Sequence, residues 1–271
     1  MIVRAQVWWT ILQMCIAERL AYRGDFILGT TMRFLPIVTQ IFLWTAVFAS
    51  AQSDQMAGYS RNDVVAYYLL TMVARAFSSM PGLASGIATQ IRDGQIKKFL
   101  IQPIDLIGFS LLARIGHKLV YYAIAIGPFA AVFYLCRGFF PGWPAGEVTA
   151  AFVASLVLSF LLGFFLESSL GLAGFWTLEI SSLLFVYMLF NFFFSGHMFP
   201  LDIVPDPWRT AIEYLPLKYL AYFPAAIFLG KVPENRLWLE VGVEAAWVAF
   251  FIVLCRWLMH RGFNRYSGFG G

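Results

Sequence analysis

Charge is scarce in this chain. Asp, Glu, Lys and Arg make up 13% of its 271 residues, against about 25% in soluble globular domains. That deficit excludes an ordinary water-facing fold. Cysteine is nearly absent as well. Cys15, Cys136 and Cys255 are far apart, odd in number and without a CxxC spacing, which excludes a disulfide framework or a thiolate metal site. The three histidines, His117, His197 and His260, are scattered and form no metal cluster. Enzyme signatures are missing too. Without GxxxxGK[ST] the chain cannot hold a nucleotide through a P-loop, and it has neither HExxH nor GxSxG. Glu167 and Glu240 are isolated carboxylates with no partner at an interpretable spacing. The basic residues form no patch beyond membrane-flanking ones, so nucleic acid is not an expected partner. No internal repeat is visible. No cleavable signal peptide is expected, because Gln13, Glu18, Arg19 and Arg23 interrupt the first apolar run.

What fills the chain is apolar. Sixty per cent of the residues are hydrophobic, with 28 Phe, 12 Tyr and 9 Trp, and mean hydropathy is +0.73. Runs of about 20 apolar residues point to an integral membrane protein. The pattern predicts an all-α polytopic fold forming one domain over 1–271, with six spans near 27–49, 64–80, 107–135, 148–166, 172–194 and 237–259. Residues 3–23 read as an amphipathic helix lying in the membrane plane. Trp8, Ile11, Leu12, Cys15 and Leu20 fall on its apolar side. Asn62 or Asp63 is expected to cap the second span, and Glu167–Gly171 to reverse the chain between the fourth and fifth. Prolines 200, 205, 207, 216, 224 and 233 cut residues 196–236 into short pieces. Trp208–Leu215 and Leu217–Leu229 are plausible short helices there, either re-entrant at membrane depth or part of a folded surface loop. Residues 260–271 form a basic, glycine-rich tail.

An even number of spans puts both termini on one side. That side, with the loop at 83–105, carries eleven Lys and Arg against six on the other, which favours both termini in the cytoplasm. The loop itself is the most distinctive stretch. Ile87, Ile91, Phe99 and Leu100 recur at roughly helical spacing among Arg92, Asp93, Lys97 and Lys98. Gly94 interrupts the pattern and Pro103 ends it. Such a segment is either an amphipathic connector resting on headgroups or a docking element for a cytoplasmic partner.

Two charges fall inside predicted spans. Arg75 lies inside its predicted span, five residues or about 7.5 Å from the nearer end at 1.5 Å per residue, and Glu179 is predicted inside the fifth. An intramembrane arginine is costly, about 2.5–3.5 kcal/mol on insertion scales. The two residues either pair or separately face a wet cavity. Tyr187, Phe192, Phe193 and Phe194 line the outer end of the fifth span, as packing or as contacts to an amphipathic substrate.

Four segments carry a resemblance: IRDGQIKKFLIQP (Ile91–Pro103), FSGHMFPLDIVPDPW (Phe194–Trp208), EYLPLKYLAYFPAAIFLGK (Glu213–Lys231) and RGFNRYSGFGG (Arg261–Gly271). Their order and spacing across six spans resemble a permease subunit of the ABC-2 family, in the branch of short six-span exporters. The resemblance implies a dimer, with a second copy or a sister permease, in the bacterial inner membrane. It also implies two separately encoded cytoplasmic ATPase subunits that bind ATP and Mg, so this chain would hold no cofactor and catalyse no covalent step. The coupling element would fall on Ile91, Arg92, Asp93, Gly94, Ile96, Lys97, Lys98, Phe99, Leu100 and Pro103. The proline-cut stretch, with Pro200 and Trp208, would form the outer gate. Efflux of an amphipathic or lipid-like substrate suits the aromatic walls. The competing class is a secondary transporter or channel working through Arg75 and Glu179. An intramembrane enzyme is disfavoured by the missing catalytic cluster.

Overall fold

The computed structural model describes residues 2–21, 23–51, 55–101, 104–177 and 179–266. The regular structure over these residues is helical, apart from a small antiparallel ribbon of β1 (Gln55–Met56) and β2 (Tyr59–Ser60). The helices are α1 (Ile2–Ala21), α2 (Arg23–Ala51), α3 (Arg61–Ser78), α4 (Leu83–Arg92), α5 (Lys97–Ile101), α6 (Leu106–Leu135), α7 (Gly146–Leu172), α8 (Ser181–Phe194), α9 (Trp208–Glu213), α10 (Tyr222–Phe228) and α11 (Glu234–Arg265). Among the described residues, three stretches are long and apolar enough to cross a membrane: Leu106–Leu135, Gly146–Phe175 and Glu234–Arg265. Pro36–Ser50 and Ser181–Phe194 are shorter apolar helices. By compactness the chain gathers into two units, residues 1–43 with 96–138 and residues 44–95 with 139–271.

In the first unit α1 packs along α6. Glycines in α6 open the groove. A methyl at Gly108 would lie 3.2 Å from the Trp8 ring, and one at Gly116 would lie 3.2 Å from Cys15 Cβ. The side of α1 expected to rest on headgroups therefore has a protein partner, although Leu20 at its end stays exposed. Asp105 caps α6 by accepting from the Gly108 amide at 2.8 Å.

The second unit is built around α7, which packs against α3, α4, α10 and α11. α3 starts one turn earlier than expected. Ser60 is its cap, accepting from the Asp63 amide at 3.2 Å while the Asp63 carboxylate accepts from the Ser60 amide at 3.1 Å. This reciprocal pair satisfies two orphan amides of the first turn. Lys231 then bridges to Asp63 at 3.1 Å. From Val64 to Thr71 α3 is continuously buried, and α10 is buried from Phe223 to Phe228. The proline-cut stretch thus enters the core of this unit and is no surface loop over those residues.

The expected reversal at Glu167–Gly171 does not occur. α7 runs on to Leu172, continues as a short 3-10 turn to Phe175, and α8 begins only at Ser181. The polar residues that suggested a turn have other roles. Ser168 and Ser169 are buried, and the Ser169 hydroxyl donates to the Phe165 carbonyl at 2.7 Å. Gly171 is a contact surface for α4. The fifth span shrinks accordingly to the 14 residues of α8.

Candidate functional site

The second unit gathers its polar side chains at three levels. The first is α4. Leu83, Ala84, Ile87 and Ile91 are buried against α7 and the 3-10 turn that follows it. A methyl at Gly171 would lie 2.7 Å from the Ala84 carbonyl oxygen, and one at Gly174 would lie 3.2 Å from Ala88 Cα. Only glycine permits this approach. Full burial of each large side chain is worth about 1.5–3 kcal/mol, so α4 is seated on protein rather than on headgroups. Its other side carries exposed Ser85, Thr89 and Arg92, followed by exposed Asp93. Gly94 ends α4 with φ +73°, a left-handed geometry that favours glycine. The interruption predicted at Gly94 is therefore real, and the helical pattern falls into two pieces, α4 and α5. In the first unit Lys97 and Lys98 on α5 are exposed and Phe99 packs on Phe109 with ring centres 5.7 Å apart. Ile96 is fully buried. Pro103 and the Leu100 side chain lie outside the described residues.

Glu179 belongs to this level, beside Arg92 of α4. It precedes α8, is 65% exposed, and accepts from the Ser181 amide at 2.9 Å. Its nearest cation is Arg92 at 3.9 Å. Hydrogen bonds from the Ser181 hydroxyl and amide, and then the Arg92 charge, hold its carboxyl below the usual range.

The second level holds Arg75. Its guanidinium bonds to the His197 imidazole, on the residue three past the end of α8. Glu179 lies before the opposite end of α8, and a 14-residue helix is about 21 Å long at 1.5 Å per residue. The expected Arg75–Glu179 pair is thereby corrected: α8 separates the two positions. Ser78, one turn further along α3, abuts Gly163, which lies about 25 Å along α7 from Gly146 at 1.5 Å per residue. The aromatic set divides. Tyr187 and Phe194 pack against the core cluster around α7 and α11, whereas Phe192 and Phe193 are exposed.

The third level is the proline-cut stretch. Asp202 accepts from the Tyr59 and Tyr222 hydroxyls, each at 2.7 Å, and from Arg209 at 3.1 Å. Arg209 also reaches Glu213 at 3.1 Å. Burial, then the charges of Tyr222 and Asp202, push the Tyr59 hydroxyl far above its ordinary value, so it stays a donor. The Tyr67 hydroxyl donates to the Gly196 carbonyl and Tyr68 to the Met198 carbonyl, while Trp44 donates to Tyr68 at 3.0 Å. Pro200 is buried and Trp208, the first residue of α9, is 69% exposed. Sequence reasoning missed Asp202, although it lies inside the FPLDIVPDPW segment.

It also missed Glu244. This residue is fully buried on α11 where that helix packs on α7. The Ser155 hydroxyl is beside it, yet neither carboxyl oxygen meets hydrogen-bond geometry with any described residue. Glu240, one turn earlier, is bridged by Lys218 at 3.1 Å and Tyr219 at 3.0 Å. No group of three or more His, Cys, Asp or Glu among the described residues is placed to hold a metal.

Long apolar helices locked by small residues, with charge confined to their ends and to a few interior points, define a multi-pass membrane protein. The model of the ABC-2 family transporter proteins matches residues 34–270, and the chain belongs to that family. Its members work with ABC ATPase partners and are normally non-catalytic themselves. A search of curated proteins finds no match to the chain.

Proposed function

We propose that the chain is the permease subunit of an ATP-driven exporter, paired with a second permease and moved by two cytoplasmic ATPase subunits. The termini and the α4–α5 segment lie in the cytoplasm, and the Asp202 cluster lies on the outer side. Hydrolysis of ATP in the partner pushes on α4. Because α4 is seated on Gly171 of α7 and Gly174 of the turn after it, and neighbours Glu179 at the foot of α8, the push reaches both helices. The outer cluster then loosens, and an amphipathic substrate leaves. The single observation that carries this reading is α4 itself: an apolar side buried on α7 and a polar, charged side left exposed. A secondary transporter working through an Arg75–Glu179 pair loses its pair.

Co-purification with the ATPase subunit tests the reading. Lys97→Glu with Lys98→Glu should weaken that association about tenfold, or ~1.4 kcal/mol, and lower ATPase-driven transport in proteoliposomes. Association and transport at wild-type levels in the double variant would remove α5 as a contact for the motor. A fully active transporter containing no ATPase would overturn the whole reading.

A further inference from the structure

Independently of the permease reading, we propose that Arg261 and Arg265 hold the phosphate of an anionic glycerophospholipid in a cavity at the C-terminal end of α11. Trp176, Trp257, Leu258, Arg261, Asn264 and Arg265 line this cavity, which has a volume of about 680 Å³, inside the roughly 300–1,000 Å³ range of small-molecule sites. Five of the six residues come from α11 at i, i+1, i+4, i+7 and i+8, positions that fall on one side of a helix. Trp176 comes from the turn after α7, and packing holds that turn in place. A methyl at Gly262 would collide with the Phe175 ring, so only glycine lets the ring settle on α11. Phe263 and Tyr266 meet the same ring edge-on, with centres 5.7 and 6.1 Å away. The Trp176 amide donates to the Ala173 carbonyl at 2.9 Å, which ties this wall of the cavity to the anchored turn.

Charge selects the ligand. Arg261 and Arg265 are exposed and one turn apart, about 6 Å along the axis at 1.5 Å per residue, a spacing at which like charges repel. Neither forms an ion pair with a described residue, and residues 245–271 contain no Asp or Glu. Arg261 lies over the Trp257 ring at 5.8 Å, a contact that occupies no hydrogen-bond acceptor. A guanidinium presents a planar fork of donors that matches phosphate oxygens. The negative end of the α11 dipole accounts for basic residues in its last turn, but not for a cavity beside them walled by two exposed tryptophans. Tryptophan gathers where hydrocarbon gives way to headgroups. The uncharged run Ala245–Cys255 ends just before the cavity begins at Trp257, and basic pockets at such a boundary take anionic headgroups. Two cations without an acidic partner select a net anion over a zwitterionic lipid. The position at the end of an apolar run selects a lipid over a soluble phosphate.

The test uses the full chain in dodecyl maltoside micelles, without its motor, and measures dissociation constants by calorimetry. The probes are dioctanoyl phosphatidylglycerol, dioctanoyl phosphatidylcholine and glycerol 3-phosphate. Phosphatidylglycerol should bind at least about tenfold more tightly than phosphatidylcholine, and glycerol 3-phosphate should not displace it. Arg261→Gln with Arg265→Gln should abolish that preference, Arg261→Lys with Arg265→Lys should keep part of it, and Trp176→Ala should weaken both lipids alike. Arg256→Gln removes a charge from the same helix outside the cavity and should leave the preference unchanged. Equal binding of the two lipids by the wild type, or an undiminished preference in the double Gln variant, overturns the site. An equal loss in Arg256→Gln assigns the preference to net charge and overturns it as well. Displacement by glycerol 3-phosphate overturns the lipid as the source of the phosphate. Arg265→Gln alone should lower the preference at least about threefold and serves where the double variant does not fold. No motor is present, so neither result bears on association with an ATPase.

Discussion

Gly171→Ala probes the seat of α4 directly. The added methyl would meet the Ala84 carbonyl oxygen at 2.7 Å, Ile87 Cβ at 2.9 Å and Ala84 Cα at 3.0 Å, where ordinary contact begins at 3.4 Å. α4 must therefore retreat by roughly 0.7 Å, since the obstacle is partly backbone and no rotamer change clears it. Overpacking of this kind costs about 1–3 kcal/mol. Alanine's better helix propensity returns at most about 1 kcal/mol. Gly242 on α11 supplies the control, because nothing lies within 4 Å of a methyl there. Gly242→Ala keeps the propensity gain and meets no clash. The two variants should differ by about 1–3 kcal/mol, Gly171→Ala being the less stable. Reversible SDS unfolding of the purified chain, followed by tryptophan fluorescence, measures the difference. Equal stability within about 0.5 kcal/mol would mean that α4 is not seated on Gly171, and the route from motor to α7 would lose its basis.

Two further outcomes follow from the other levels. Asp202→Ala strands the Tyr59 and Tyr222 hydroxyls and should cost about 2–4 kcal/mol in the same unfolding assay, since bonds to a charged acceptor are worth about 1.5–3 kcal/mol each. Combined with Tyr59→Phe, the two losses should be non-additive by about 0.5–3 kcal/mol; simple additivity would argue against a shared carboxylate. Glu244→Met keeps volume and removes a buried carboxyl, so stability should be unchanged or raised by about 1–4 kcal/mol. A loss above about 1 kcal/mol would show that the carboxyl is paired in the assembled protein.

Much of the fold was legible because hydropathy and helix length act locally. The start of α6, the break at Gly94 and the start of α9 at Trp208 follow from apolar runs, caps and prolines read in order. The reversal after α7 was not legible. Ser168, Ser169 and Gly171 look like turn residues, and only the presence of α4 against them shows that small size, not flexibility, is what the position demands. Placing that turn too early put Glu179 inside a predicted span and suggested its pairing with Arg75. Asp202 and Glu244 were missed because an isolated acid has no local signature. Their partners stand far away in the chain, Tyr59 143 residues from Asp202.

The order of residues alone determined that this is a membrane protein, which stretches are helical, and where charge is rare enough to matter. Those properties depend on composition and on periodicities within a single helix. Which charges meet was decided only in three dimensions. Arg75 found His197 instead of Glu179, and Glu179 found Arg92, because α8 holds its two ends a helix length apart and α4 settles where glycines let it come close.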